Sequence, residues 1–220
     1  MSFTPGRVRE VLAGFEPGVR QAGLRVRGDH DGNPGLGTVP GKALRPAAVL
    51  VPLVDRPEGL SVLLTQRTAH LHDHAGQVSF PGGRLEDSDP DAVSAALRET
   101  EEEIGLARRH VEIVGRLDTY RTRTAYEVTP VVGIVTPPFQ LAPDDFEVAD
   151  VFEMPLEFAL APRNHERHSQ VFQGVERHFW VLPYKDRYIW GATAGMLVNL
   201  YEALTGKPAI PQPPGSAADL

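Results

Sequence analysis

The sequence contains no cysteine. Disulfides, zinc–thiolate centres and thiol nucleophiles are excluded together, and a cytoplasmic setting is expected. No apolar run approaches the roughly 20 residues that a membrane-spanning helix needs, so no membrane association is expected. The opening stretch MSFTPGRVREVLAG has no apolar signal core, which argues against secretion. The closing Ala218-Asp219-Leu220 is not a peroxisomal address. A basic excess is missing too: 22 Lys and Arg against 29 Asp and Glu leave a formal net charge of −7. A general nucleic-acid binder carries a basic face, so nucleic acid is not an expected partner. A small polyanionic substrate would need metal ions or a local basic cluster.

There is no internal repeat and no linker long enough to divide two domains. A chain of 220 residues suits one domain with a single sizeable core. Residues 1–44 read as an N-terminal helix and loop extension. Residues 208–220, rich in Pro, Gly, Ser and Ala, read as a loose tail. Within the extension, Val8, Val11, Leu12 and Phe15 share one side of a short helix from Arg7 to Phe15. Gly28 to Gly41 reads as a loop.

Two apolar runs, Ala47 to Leu53 and Leu60 to Thr65, flank the turn-like Asp55-Arg56-Pro57-Glu58-Gly59, so a hairpin is predicted. Further strands are expected at Val111 to Tyr120, Val128 to Thr136, Val148 to Phe152, Ser169 to Phe172 and His178 to Leu182. A last helix is expected from about Thr193 to Leu204, stopped by Gly206 and Pro208. Helices mixed with hairpin-forming strands predict an α+β arrangement, with a mixed β-sheet between helices.

The clearest helix runs from Asp91 to Ile104. Asp89 is the expected N-cap, Pro90 sits at the first helical position, and Gly105 follows the end. At about 100° per residue, Val93, Ala96, Leu97, Thr100 and Ile104 share a core-facing stripe. Glu99, Glu102 and Glu103 fall together on a separate arc, and Glu101 falls on the other side. Converging carboxylates repel unless something positive lies between them. Hard oxygen ligands at this spacing suit Mg²⁺ or Mn²⁺. A plainer reading is a solvated acidic face, with Arg98 and Glu102 as an i, i+4 ion pair.

The segment Gly83…Asp89…Arg98-Glu99-Thr100-Glu101-Glu102-Glu103-Ile104-Gly105-Leu106 resembles the box of the Nudix family, G-x5-E-x7-R-E-U-x-E-E-x-G-U with U bulky and aliphatic. Three positions depart. Asp89 stands where the family has Glu, Thr100 stands at an aliphatic position, and the spacing from Asp89 to Arg98 is one residue longer. The resemblance implies a Nudix-type α/β/α sandwich and a metal-dependent pyrophosphohydrolase. It makes Glu99 and Glu103 metal ligands, with Glu102 close behind, and Arg98 a structural residue that orients a glutamate. Gly82 and Gly83 permit the tight loop before the helix.

A second stretch, Leu63-Leu64-Thr65-Gln66-Arg67 with Gly76 and Phe80-Pro81-Gly82-Gly83, is similar to the signature of the coenzyme A pyrophosphatase branch. The spacing of its fixed elements matches. Thr68 replaces Ser or Ala, and His72 replaces a second Arg, exchanging a permanent charge for a titratable one. The branch implies coenzyme A, or a derivative, as substrate and 3′,5′-ADP and 4′-phosphopantetheine as products. Such a substrate needs cations beyond the metal site, and Arg67 and Arg84 are the candidates, with Gly83 beside them. His70, His72, Asp73 and His74 lack the spacing of a zinc hydrolase and read as a solvated loop. The general base for the attacking water is one of the helix glutamates Glu99, Glu102 and Glu103 or a loop carboxylate, and from outside the box the candidate is Glu147.

The box alone leaves ADP-ribose or a dinucleotide open as substrate. A Nudix-fold metabolite-binding module without catalysis, an acidic helix used for protein interaction, and a homodimeric assembly also stay open.

Overall fold

The computed structural model describes residues 3–17, 19–20, 23–24, 27–31, 33, 43–71 and 74–214. Helix α1 (Pro5–Ala13) starts with the side chain of Thr4 accepting from the Arg7 amide and Pro5 at its first position. Three two-residue strands follow: β1 (Val19–Arg20), β2 (Gly23–Leu24) and β3 (Arg27–Gly28). Then come β4 (Arg45–Arg56), β5 (Gly59–Arg67), β6 (Val78–Ser79), β7 (Gly82–Arg84), α2 (Ala92–Ile104), β8 (Val111–Arg116), β9 (Tyr120–Arg121) and β10 (Tyr126–Val135). The chain continues with β11 (Val148–Pro155), α3 (Leu156–Ala159), β12 (Glu166–Phe172), β13 (Val175–Tyr184), β14 (Arg187–Trp190) and α4 (Gly191–Thr205).

The predicted hairpin is β4–β5, antiparallel from Leu53↔Val62 to Arg56↔Gly59. On its other edge β4 lies parallel to β10 over ten pairs, from Tyr126↔Arg45 to Val135↔Val54. The sheet is therefore mixed, in the order β11-β5-β4-β10-β9-β3, with β6, β7 and β8 pairing to β5, β4 and β10 respectively. Burial on both faces explains why β4 is apolar nearly throughout rather than alternating. Ala48, Leu50 and Val54 pack with Ala95, Ala96 and Ile104 of α2. Ala47, Val51 and Leu53 pack on the other face with α1 and α4. The architecture is the expected mixed sheet between helices.

Several boundaries shift. The first strand extends to Arg45 and Arg56, β12 and β13 are longer than expected, and Val111 to Tyr120 divides into β8 and the start of β9. The predicted loop from Gly28 to Gly41 lies mostly outside the described residues. So do His72 and Asp73 of the histidine segment. The predicted loose tail is tied at one point: Gln212 donates its amide to His165 O and accepts from Arg167 N, both at 2.8 Å. The open edge of β12 supplies those groups.

Asp89 is not the helix cap. Asp91 is: its Oδ1 accepts from Ser94 N at 2.8 Å, and the helix begins at Ala92, beyond Pro90. The helix ends as expected, with Gly105 left-handed at φ 69° and donating to Glu101 O. A Cβ there would stand 2.8 Å from Ala142 N, so the position also needs the bare backbone for close packing.

Candidate active site

The site is assembled where β7 runs past α2. Gly82, at φ +146°, donates its amide to Glu103 Oε2 at 3.1 Å. The next residue, Gly83, presses on the other glutamate: a Cβ there would lie 2.5 Å from Glu99 Cδ. The two glycines thus bring bare backbone against two carboxylates one helical turn apart. Behind them Arg67 Nη1 stands 3.8 Å from Glu103 Oε1. Among the described residues the Arg67 Nε is buried without a hydrogen-bond partner.

Arg98 organises the outer side. It meets Asp89 through two bonds, at 2.9 and 3.1 Å. It also contacts Glu99 Oε1 at 3.0 Å and Glu102 Oε2 at 2.8 Å, and donates to Arg84 O at 3.2 Å. Asp89 itself accepts from the Glu86 amide at 2.9 Å. The box aspartate therefore anchors the box arginine, and the arginine braces Glu99. Glu102 is turned outward to Arg98, with 60% of its side chain exposed. Glu101 pairs with Arg108 on the far side, as its helical phase requires. Thr100 is fully buried, and its hydroxyl donates to Ala96 O at 2.7 Å. That local bond is what lets Thr occupy an apolar position.

Electrostatics set two of the three converging glutamates apart. Burial pushes Glu103 up to about 7, opposed by the Gly82 amide and Arg67 and reinforced by Glu147 and Glu99. Burial also raises Glu99, against the pull of Arg98. Both feel the charge of Glu147, so the 140s loop brings a third carboxylate to their neighbourhood. That loop is fastened at two places. Asp144 N donates to Glu103 O and Ala142 N to Ile104 O, both at 2.9 Å. Thr68 then clasps it from the β5 side, its Oγ1 donating to Phe146 O at 2.8 Å and its amide to Glu147 O at 3.0 Å. Arg84 leans the other way from Gly83 and donates to the Tyr126 hydroxyl at 2.9 Å.

The NUDIX domain family model matches residues 44–175, more than half of the chain. The chain is 43% identical over 164 residues to the uncharacterized Nudix hydrolase NudL of Escherichia coli K12, covering 74% of this chain and 85% of that protein. This chain belongs to the Nudix family. Among solved structures it is similar to a Caenorhabditis elegans Ap4A hydrolase, at 23% identity and TM-score 0.44, covering 50% of this chain and 80% of that one. It is also similar to the Mycobacterium smegmatis Nudix hydrolase RenU, at 21% identity and TM-score 0.41, covering 62% and 77%.

Nudix hydrolases use divalent metal ions, and the side chains here suit one. Glu99 and Glu103 offer hard oxygens and are withdrawn from water, and burial raises the pKa of both. Among the described residues no three acidic or imidazole groups already stand at ligand spacing. The Nudix box therefore presents a convergent pair, with Glu102 and Glu147 at its margins. No helix among the described residues is long and apolar enough to cross a membrane.

Three features escaped sequence reasoning. Asp91 as the cap carries a signal, Asp-x-x-Ser before the apolar stripe. Asp89 as the partner of Arg98 carries none, because the pair is closed by the loop's path. The Thr68 clasp on the 140s loop is likewise a tertiary contact without a local pattern.

Proposed function

We propose that this chain hydrolyses the pyrophosphate bond of coenzyme A or one of its derivatives, using Mg²⁺ or Mn²⁺, with 3′,5′-ADP and 4′-phosphopantetheine as products. The observation that carries the reading is the Glu99–Glu103 pair folded around Gly82 and Gly83, with Arg67 behind it. The upstream Leu-Leu-Thr-x-Arg segment and the Phe-Pro-Gly-Gly turn support the choice of substrate. A bacterial Nudix hydrolase as the 43%-identical relative is compatible with a cytoplasmic setting.

Glu99 and Glu103 are the proposed metal ligands, with Glu102 joining them if its side chain leaves Arg98. When bound, the ion polarises the phosphate, absorbs developing charge and eases deprotonation of water. Arg67 has one donor edge turned to Glu103 and, among the described residues, a buried Nε without a hydrogen-bond partner, so its guanidinium is not committed to another group and is proposed to address a phosphate oxygen. Arg84 addresses the substrate from the far side of Gly83, and the bare Gly83 backbone serves the site by giving the Glu99 carboxylate its place. Arg98, Asp89 and Gly105 are positioning residues. Glu147, clasped by Thr68 near both ligands, is the proposed base. It takes a proton from water while the water oxygen attacks phosphorus and the bridging P–O bond breaks. The leaving phosphate takes up the electron pair.

Incubation with coenzyme A and Mg²⁺ or Mn²⁺, followed by product separation, tests the reading. Appearance of 3′,5′-ADP and 4′-phosphopantetheine supports it. A kcat/KM for ADP-ribose, NADH or diadenosine polyphosphates well above that for coenzyme A overturns the substrate and keeps the family.

A further inference from the structure

Two sets of arginines differ in their partners. Arg9, Arg56, Arg98 and Arg187 all end on carboxylates. Arg45, Arg84, Arg123 and Arg177 form no ion pair among the described residues, and they gather around two aromatic rings. Arg45 lies 4.1 Å from the centre of the Tyr126 ring, and Arg84 lies 5.6 Å from it. Arg123 lies 5.3 Å and Arg177 4.7 Å from the centre of the Phe172 ring.

The two ring clusters are joined through the turn that carries both Arg123 and Tyr126. Arg45 and Arg84 meet through sheet register: Tyr126 pairs with Arg45 and Arg84 pairs with Ala47, two residues on along β4. Arg123 and Tyr126 lie on one tight turn, closed by Tyr126 N donating to Thr122 Oγ1 at 3.0 Å. Arg45 Nη2 fastens that turn by donating to Thr124 O at 3.1 Å. The nearby Asp29 carboxylate is already engaged, accepting from the Tyr120 hydroxyl at 2.9 Å and the Arg123 amide at 2.8 Å. Glu127 is taken by Arg121. The Nε and Nη1 of Arg177 are buried with no hydrogen-bond partner among the described residues.

Guanidinium groups gathered without a carboxylate partner among the described residues repel one another, and an anion placed between them relieves that repulsion. Buried donors left unmade cost more than paired ones gain. Arg84 joins this patch to the glutamates, because it follows Gly83 on the same short strand. We propose that Arg45, Arg123 and Arg177, with Arg84 as the bridge, form a second anion subsite that takes a phosphomonoester carried on the ribose of the nucleotide. Guanidinium forks suit a phosphate dianion, which accepts through several oxygens at once. The inference rests on the proposed reading in one respect: the diphosphate must lie at Glu99 and Glu103 for the ribose to reach this patch.

Calorimetric titration with chelator present separates the two claims, since it needs neither metal nor turnover. Wild-type protein is titrated with 3′,5′-ADP and with AMP, which lacks the second phosphate. The expected result is affinity for 3′,5′-ADP at least about tenfold above that for AMP, one charge-assisted contact's worth. Arg45→Gln combined with Arg177→Gln should remove that preference while leaving AMP affinity unchanged, which also reports that the variant is folded. Arg45→Lys combined with Arg177→Lys should restore part of it. Equal affinity for the two ligands, no measurable affinity for either, or a preference untouched by the glutamine pair overturns the subsite. Failure to cleave coenzyme A alongside an intact preference for 3′,5′-ADP overturns the proposed function and leaves the subsite standing.

Discussion

The backbone of Gly83 occupies the place beside the Glu99 carboxylate that a side chain would otherwise take, with an imagined Cβ only 2.5 Å from Glu99 Cδ. What must yield to an added methyl is the far end of a flexible side chain. Gly83→Ala is therefore expected to unfold within a few °C of wild type, while kcat falls by about 10–100-fold as Glu99 is displaced. Gly82→Ala is expected to behave differently. Its added methyl would meet Ala48 O at 2.4 Å, with φ at +146°, so stability falls as well. Thermal unfolding and steady-state kinetics on the pair distinguish a displaced carboxylate from a strained backbone.

Burial raises Glu103 to about 7 from an ordinary 4.5, and this has a sign in stability. Between those values the folded metal-free protein keeps a proton that the unfolded chain has lost. Stability contributed by Glu103 therefore falls as pH rises from about 4.5 to about 7 and is level above that. His165, lowered by burial, acts in the opposite direction, so the wild-type curve alone is not diagnostic. The difference between wild type and Glu103→Gln isolates the effect. The variant is expected to gain stability relative to wild type across that window, by at most roughly 3 kcal/mol. Denaturant unfolding at a series of pH values, with chelator present, checks this.

The two aspartates flanking Pro90 should separate stability from catalysis. Asp91→Ala removes the helix cap, at a cost of about 1 kcal/mol, with kcat nearly unchanged. Asp89→Ala frees Arg98 from its two-bond partner and loosens its brace on Glu99, with kcat expected to fall about tenfold or more and KM little altered. Equal effects of the two substitutions on kcat would show that Arg98 does not position Glu99.

Thr68 holds the loop that carries Glu147. Thr68→Val removes the bond to Phe146 O and is expected to cost about 1 kcal/mol. If Glu147 is the base, kcat drops with it, and Glu147→Gln drops kcat further. An unchanged rate in Glu147→Gln moves the base to another group.

Much of the site was legible before the structure because helical phase is local. Glu99 and Glu103 share an arc, Glu101 points away, and the Gly105 stop is a left-handed cap, all from spacing alone. The β4–β5 hairpin was legible for the same reason, through its turn residues. What spacing hides is closure in three dimensions. The i, i+4 pairing of Arg98 with Glu102 was legible in spacing too, but not that it turns Glu102 away from Glu99 and Glu103. Asp89 reads as a cap beside Pro90 but is drawn to Arg98 by the turn between Glu86 and Asp89. The parallel pairing of β4 with β10, some 80 residues on in the chain, leaves no local signal. The arginine patch needs that same pairing to exist.

The most direct test of the account is Mn²⁺ binding at pH 8, measured by titration calorimetry on wild type, Glu103→Gln and Glu101→Gln. A saturable Mn²⁺ site is expected in wild type, its affinity reduced more than about tenfold in Glu103→Gln and unchanged in Glu101→Gln. Mn²⁺ binding that is equally tight in all three proteins would contradict it.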